Sequence, residues 1–67
     1  MAQPHEQRVL DEKRELDNKI ELLALFTHGT VFNELPDEDK MLLTKQYSAM
    51  SIYSHILGQR IARFVIH

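Results

Sequence analysis

The chain has 67 residues, no cysteine and a formal net charge of −2 at pH 7. The missing cysteines exclude a disulfide scaffold and a thiolate metal site, and the slightly acidic balance argues against general binding to nucleic acid or to a membrane surface. A domain this small buries only roughly 60% of its unfolded surface, so oligomerisation is a common way to stabilise it. The chain also lacks the pattern of a signal peptide or of a membrane span, which predicts a cytoplasmic protein.

A first helix is predicted over about residues 5–28. Pro4 suits its first turn, where the missing N–H would have no intrahelical partner. Val9, Leu16 and Leu23 recur every seven residues and predict one apolar seam. Charged side chains cover the other faces, and we interpret them as a solvated surface rather than a docking surface because their signs alternate. The predicted i,i+4 ion pairs are Arg8–Glu12, Lys13–Asp17 and Glu15–Lys19.

An elbow is predicted over residues 29–35. Gly29 is expected to end the first helix in the left-handed conformation that glycine adopts readily. Phe32 and Leu35 make the connection unusually apolar for a loop, so we expect a short turn that lays them over the end of the helices.

A second helix is predicted over about residues 36–65, opened by Pro36. Three acidic residues fall in its first turn, where they oppose the positive end of the helix dipole, and three cationic residues fall near its other end. These are Asp37, Glu38 and Asp39, then Arg60, Arg63 and His67. The two helices predict an all-α, two-helix antiparallel hairpin that forms a single domain over residues 1–67.

The second helix carries two apolar faces. The first has a seven-residue period and comprises Leu43, Met50, Leu57 and Phe64. The second comprises Leu42, Ala49, Ile52 and Ile56. A surface helix normally has one apolar stripe, so the second face predicts a homo-oligomeric helical bundle in which it lies at the interface between subunits.

Small residues line another side of the second helix and end in Gly58 and Ala62. Glycine in a helix costs about 1 kcal/mol relative to alanine, which close approach of another backbone or of a ligand would offset. A close helix crossing is favoured over a ligand site, so Gly58 and Ala62 are also assigned to the oligomer interface.

The sequence predicts no enzyme, no metal site and no cofactor. The four histidines show no metal-ligand spacing, and no motif for a nucleophile or a phosphate loop is present. One cluster could bind an anion: Tyr53, Gln59, Arg60 and Arg63. Repeated in an oligomer, it could hold a phosphate or a nucleotide between subunits. The alternative is that the two arginines only complement the helix end and pair with acids of the first helix.

The chain contains RVLDEKRELDNKI at residues 8–20 and YSxILGxRI at residues 53–61. With these stretches it resembles, over residues 6–64, a family of short, largely uncharacterised bacteriophage proteins from crAss-like and other tailed phages. The resemblance implies a phage origin, a small helical fold and the host cytoplasm as location. It assigns no catalytic or binding residues.

Three functions remain open. The favoured hypothesis is a non-enzymatic accessory protein that inhibits a host anti-phage defence protein through an apolar helical surface. The second is an oligomeric sponge that sequesters a nucleotide immune signal, either a cyclic nucleotide or an ADP-ribose-type molecule. The third is a structural or regulatory phage protein without a role in defence. The first requires apolar surface that stays exposed in the isolated oligomer. The second requires tyrosine and guanidinium groups that converge across an interface between subunits.

Overall fold

The computed structural model describes the backbone of residues 3–66 and the side chains of residues 3–64. Within this part of the chain every regular element is helical: α1 spans Pro4–Thr27, α2 spans Thr30–Glu34 and α3 spans Asp37–Ala62, followed by a 3-10 turn at Arg63–Ile66. The prediction of an all-α protein is therefore confirmed. The short helix α2 was not predicted, because the elbow was expected to form only a turn.

The beginnings of α1 and α3 follow the local chemistry of the sequence. Pro4 occupies the first turn of α1, and the Gln3 backbone N–H donates to Glu6 Oε1 at 2.9 Å. Pro36 precedes α3 as its N-cap rather than opening the helix, so α3 begins one residue later than expected, at Asp37. The carboxylates of the first turn, which include Glu38, oppose the helix dipole as predicted.

The elbow differs from its prediction at Gly29. This residue has φ −91° and ψ 170°, so the expected left-handed conformation is wrong. The reason is that Gly29 is the N-cap of α2, which requires extended backbone rather than a reversal. The end of α1 closes instead through the His28 and Gly29 N–H groups, which donate to the carbonyls of Leu25 and Phe26. Phe32 of α2 packs edge-on against Phe26, with ring centroids 6.3 Å apart.

The core lies between α1 and α3, and the contacts run in opposite order along the two helices. His5 meets Phe64, and farther along α1 Lys13 meets Ser54. Among residues 3–64, three apolar side chains are buried: Val9, Leu16 and Leu57. Partly buried side chains pack around them, namely Ile20, Met50, Ile61 and Phe64. The seven-residue patterns of both helices thus predicted the side of each that is buried. The molecule is elongated, with extents of 49 × 15 × 14 Å.

Among the predicted i,i+4 ion pairs, the structure shows Lys13–Asp17, at 2.9 Å. Arg14 pairs with Asp11 at 3.1 Å, one turn earlier. Over residues 3–66, none of the helices is long and apolar enough to cross a membrane.

Candidate functional site

An open cleft of about 350 Å³ lies between the beginning of α1 and the end of α3. Its lining residues are His5, Glu6, Arg60, Arg63 and Phe64. The opposite running directions of α1 and α3 bring these residues together although they are far apart in sequence. The cleft therefore combines two guanidinium groups, one carboxylate and two rings.

Arg60 and Arg63 are the cationic groups of the cleft. They lie one turn apart, Arg60 in the last turn of α3 and Arg63 immediately after it, and both side chains are exposed. Neither makes an ion pair with any residue of the described chain. Two guanidinium forks at this spacing can donate parallel hydrogen bonds to one phosphate or carboxylate.

The α1 side of the cleft is held in place by local contacts. Glu6 is buried, and its carboxylate accepts the Gln3 N–H, which keeps it at the beginning of α1. The His5 ring meets the Phe64 ring edge-on, with centroids 6.5 Å apart and an interplanar angle of 80°. These rings offer a flat apolar surface beside the two arginines.

The structure brings together only half of the predicted ligand cluster. Arg60 and Arg63 share the cleft, whereas Tyr53 and Gln59 are exposed on α3 and do not line it. Tyr53 lies two turns from Arg60 along the helix, with 43% of its surface exposed. His67, which was grouped with these cations, lies outside the described residues.

Sequence reasoning missed His5, Glu6 and Phe64 as lining residues. It considered His5 only as one of four histidines without metal-ligand spacing, and Phe64 only as part of the first apolar face of the second helix. The antiparallel direction of α1 and α3 brings these two ends of the chain near each other, but the contact of residue 5 with residue 64 also depends on the register between the helices.

A polar cluster joins the middle of the two helices. Lys13 Nζ donates to Ser54 Oγ at 2.8 Å and to Asp17 Oδ2 at 2.9 Å, and Ser54 Oγ donates to Asp17 Oδ1. The Ser54 proton is therefore directed to a carboxylate, and Lys13, as the charged donor, has no lone pair to accept it. This arrangement connects α1 to α3.

The profile of the Sequestin family matches residues 3–63. The chain belongs to the Sequestin family. Neither the curated proteins nor the solved structures compared with it give a significant match. The matched region of this Sequestin family member includes α1, α2 and α3. It also includes the cleft residues His5, Glu6, Arg60 and Arg63, whereas Phe64 lies one residue beyond it.

The residues assigned to an oligomer interface fall into two groups in this Sequestin family member. Leu42, Ile52 and Ile56 are exposed by 56%, 62% and 47%, and Ala49 and Ala62 are exposed as well. Gly58 instead faces α1, where a Cβ atom would lie 3.5 Å from Lys13 Cε. The close approach expected at Gly58 is thus made by a side chain of the same chain.

Proposed function

We propose that this protein is a non-enzymatic binding protein that sequesters a phosphorylated small molecule of the nucleotide type. The observation that carries the proposal is the pair Arg60 and Arg63, which open into one cleft without an ion-pair partner in the described chain. The name of the Sequestin family suggests sequestration and supports the same interpretation.

The chemistry of the cleft suits a nucleotide better than a simple inorganic anion. The two guanidinium groups would hold a phosphate, and the ring surface of His5 and Phe64 would contact a base or a ribose. Glu6 would limit the total positive charge and could accept a hydrogen bond from a sugar hydroxyl or a base amine.

The biological role we propose follows from the resemblance to short phage proteins. The chain would be a phage accessory protein that acts in the host cytoplasm on a cyclic nucleotide or ADP-ribose-type immune signal. Sequestration lowers the free concentration of such a signal without a reaction, so it requires a high copy number and tight binding rather than a catalytic group. We also propose that the active form is a homo-oligomeric bundle of helical hairpins.

Isothermal calorimetry against cyclic dinucleotides, cyclic trinucleotides and cyclic ADP-ribose isomers tests this proposal. Arg60→Ala should weaken binding by roughly ten- to a hundred-fold, the equivalent of one charge-assisted contact of about 1.5–3 kcal/mol. Arg60→Lys should also weaken it, because an ammonium group cannot donate the two parallel bonds. Lys19→Ala, which removes an exposed cation from α1 outside the cleft, is the matched control and should bind normally.

Two results would contradict the proposal. One is the absence of binding by the wild-type protein at tens of micromolar. The other is chemical conversion of the ligand, because chromatography of the released ligand should return it unchanged.

A second candidate is inhibition of a host defence protein, and the exposed apolar residues of α3 favour it. Leu42, Ile52 and Ile56 could lie in a groove of such a partner. A complex with a purified defence protein that Ile52→Glu abolishes and Arg60→Ala leaves intact would support this candidate over sequestration.

A further inference from the structure

A second seam with a seven-residue repeat runs along the exposed side of α3. Its apolar middle is formed by Leu42, Ala49, Ile52 and Ile56, with Glu38 at the beginning and Arg63 at the end. Leu42, Ala49, Ile56 and Arg63 follow each other at intervals of seven, which is the repeat of a coiled coil. The buried contact with α1 uses a different set that includes Leu57 and Met50, so the second seam has no partner within the described chain.

The solvent-accessible surface of the single chain is larger than that of a typical folded monomer of the same mass. The accessible surface is 5411 Å² for 7.9 kDa. The scaling for folded monomers gives about 4,400 Å² at this mass. The excess of about 1,000 Å² is similar to the roughly 800 Å² that each partner buries in a standard interface. One further copy on the seam would therefore account for the excess.

The charges of α3 determine which way that copy must run. In a parallel pair, Glu38 would face Glu38 and Arg63 would face Arg63, which is repulsive at both ends. In an antiparallel pair, the acidic first turn of each copy lies beside the arginines of the other. We propose that a second copy of this chain covers the seam in the antiparallel direction, with Glu38 facing Arg63 of the partner subunit.

The sizes of the middle residues fit the same register. In antiparallel coiled coils, the first and fourth positions of the repeat share layers, which places Ala49 against Ile52 of the partner subunit. A small residue opposite a large one allows the helices to approach and interdigitate. The aliphatic stem of Lys45 would cover Ile56 of the partner subunit while its ammonium group reaches water.

This inference rests on the proposed homo-oligomer and adds its orientation and register. It leaves the cleft usable, because a guanidinium group has five N–H donors and Arg63 can bind a carboxylate and a phosphate together. Arg60 does not belong to the seam repeat, so its substitution tests the ligand site separately.

Sedimentation equilibrium at tens of micromolar tests the seam. The wild-type protein should have twice the chain mass of 7.9 kDa. Ile52→Glu should give a monomer, whereas Leu22→Glu, at a 66% exposed position on α1, should remain a dimer.

The register is tested by exchanging the charges at the two ends of the seam. Glu38→Arg and Arg63→Glu should each raise the dissociation constant of the dimer about tenfold, and the double variant should restore the wild-type value. A monomeric wild type overturns both the oligomer and the seam. A double variant whose dissociation constant is as high as those of the single variants overturns the register.

The direction of the pair is measured by spin labelling. Because the chain has no cysteine, Ala62→Cys provides a single labelling site on α3, at an exposed residue that flanks the seam but is not one of its repeat positions. At 1.5 Å rise per residue, the antiparallel register separates the two labelled positions by about 35 Å. A parallel pair, with helix axes 8–10 Å apart, would give less than about 20 Å. The short distance in a dimer would overturn the orientation and leave the homo-oligomer standing.

Discussion

At the scale of single residues, the cluster of Lys13, Asp17 and Ser54 shows how a very small core accepts polar groups. Ser54 is buried, and a buried hydroxyl without a partner would destabilise the fold. The hydrogen bond from Ser54 lowers the pKa of Asp17, as does that from Lys13, while partial burial opposes the shift. The charged carboxylate is therefore the form that the native contact between α1 and α3 requires.

The lowered pKa of Asp17 predicts a loss of stability in acid. The ordinary value is 3.8, and the folded value lies below it, so the contribution is complete above 3.8 and is lost as the pH falls through the folded pKa. Asp17→Asn removes this titration. Urea unfolding from about pH 5 to about pH 2 should therefore show the advantage of the wild type over Asp17→Asn shrinking. A difference that stays constant over this range would show that Asp17 gains nothing from its charge.

At the scale of the helices, local patterns predicted α1 and α3 well and the connection poorly. Seven-residue spacing placed Val9, Leu16 and Leu57 in the core, because a helix face is defined by residues close in sequence. The five residues of α2 are too few to show a period. The conformation of Gly29 depended on that unseen helix, so reasoning from the glycine alone gave the wrong backbone.

The role of the small residues of α3 could be interpreted only when the position of α1 beside them was known. Spacing alone could not tell whether another subunit, a ligand or α1 lies beside Gly58. The structure places Lys13 there, since the lysine must cross this position to reach Ser54. A long-range contact of this kind depends on the register between the helices, which the sequence pattern does not determine.

Gly58 therefore provides a prediction for the stability of α3. A Cβ atom would make ordinary contact with Lys13 Cε at 3.5 Å, so Gly58→Ala should raise the free energy of unfolding by about 0.5–1 kcal/mol through helix propensity. Gly58→Leu is the matched comparison, and it should lose stability because its side chain displaces Lys13 from Ser54 and Asp17. Urea denaturation of both variants checks this. A destabilised alanine variant would mean that the helices approach more closely than 3.5 Å implies.

At the scale of the whole molecule, the cleft and the core depend on the same antiparallel alignment. The sequence identified Arg60 and Arg63 from their spacing, but it could not place His5 and Phe64 beside them without the alignment. The same alignment buries only three apolar side chains in the described chain, of which Leu57 alone is fully buried. Each such side chain contributes about 1.5–3 kcal/mol, which is small against the conformational entropy of ordering the helices.

So small a core predicts that the stability of this protein depends on its concentration. If a dimer unfolds to two chains, a hundredfold rise in concentration adds about 2.7 kcal/mol per dimer, which should raise the melting temperature by about 10 °C at this size. Circular dichroism melts at about 1 and 100 μM check this. Ile52→Glu should melt at a lower temperature that no longer changes with concentration, whereas Leu22→Glu should keep the dependence. A wild-type melting temperature that is the same at both concentrations would show that α1 and α3 are stable as a single chain.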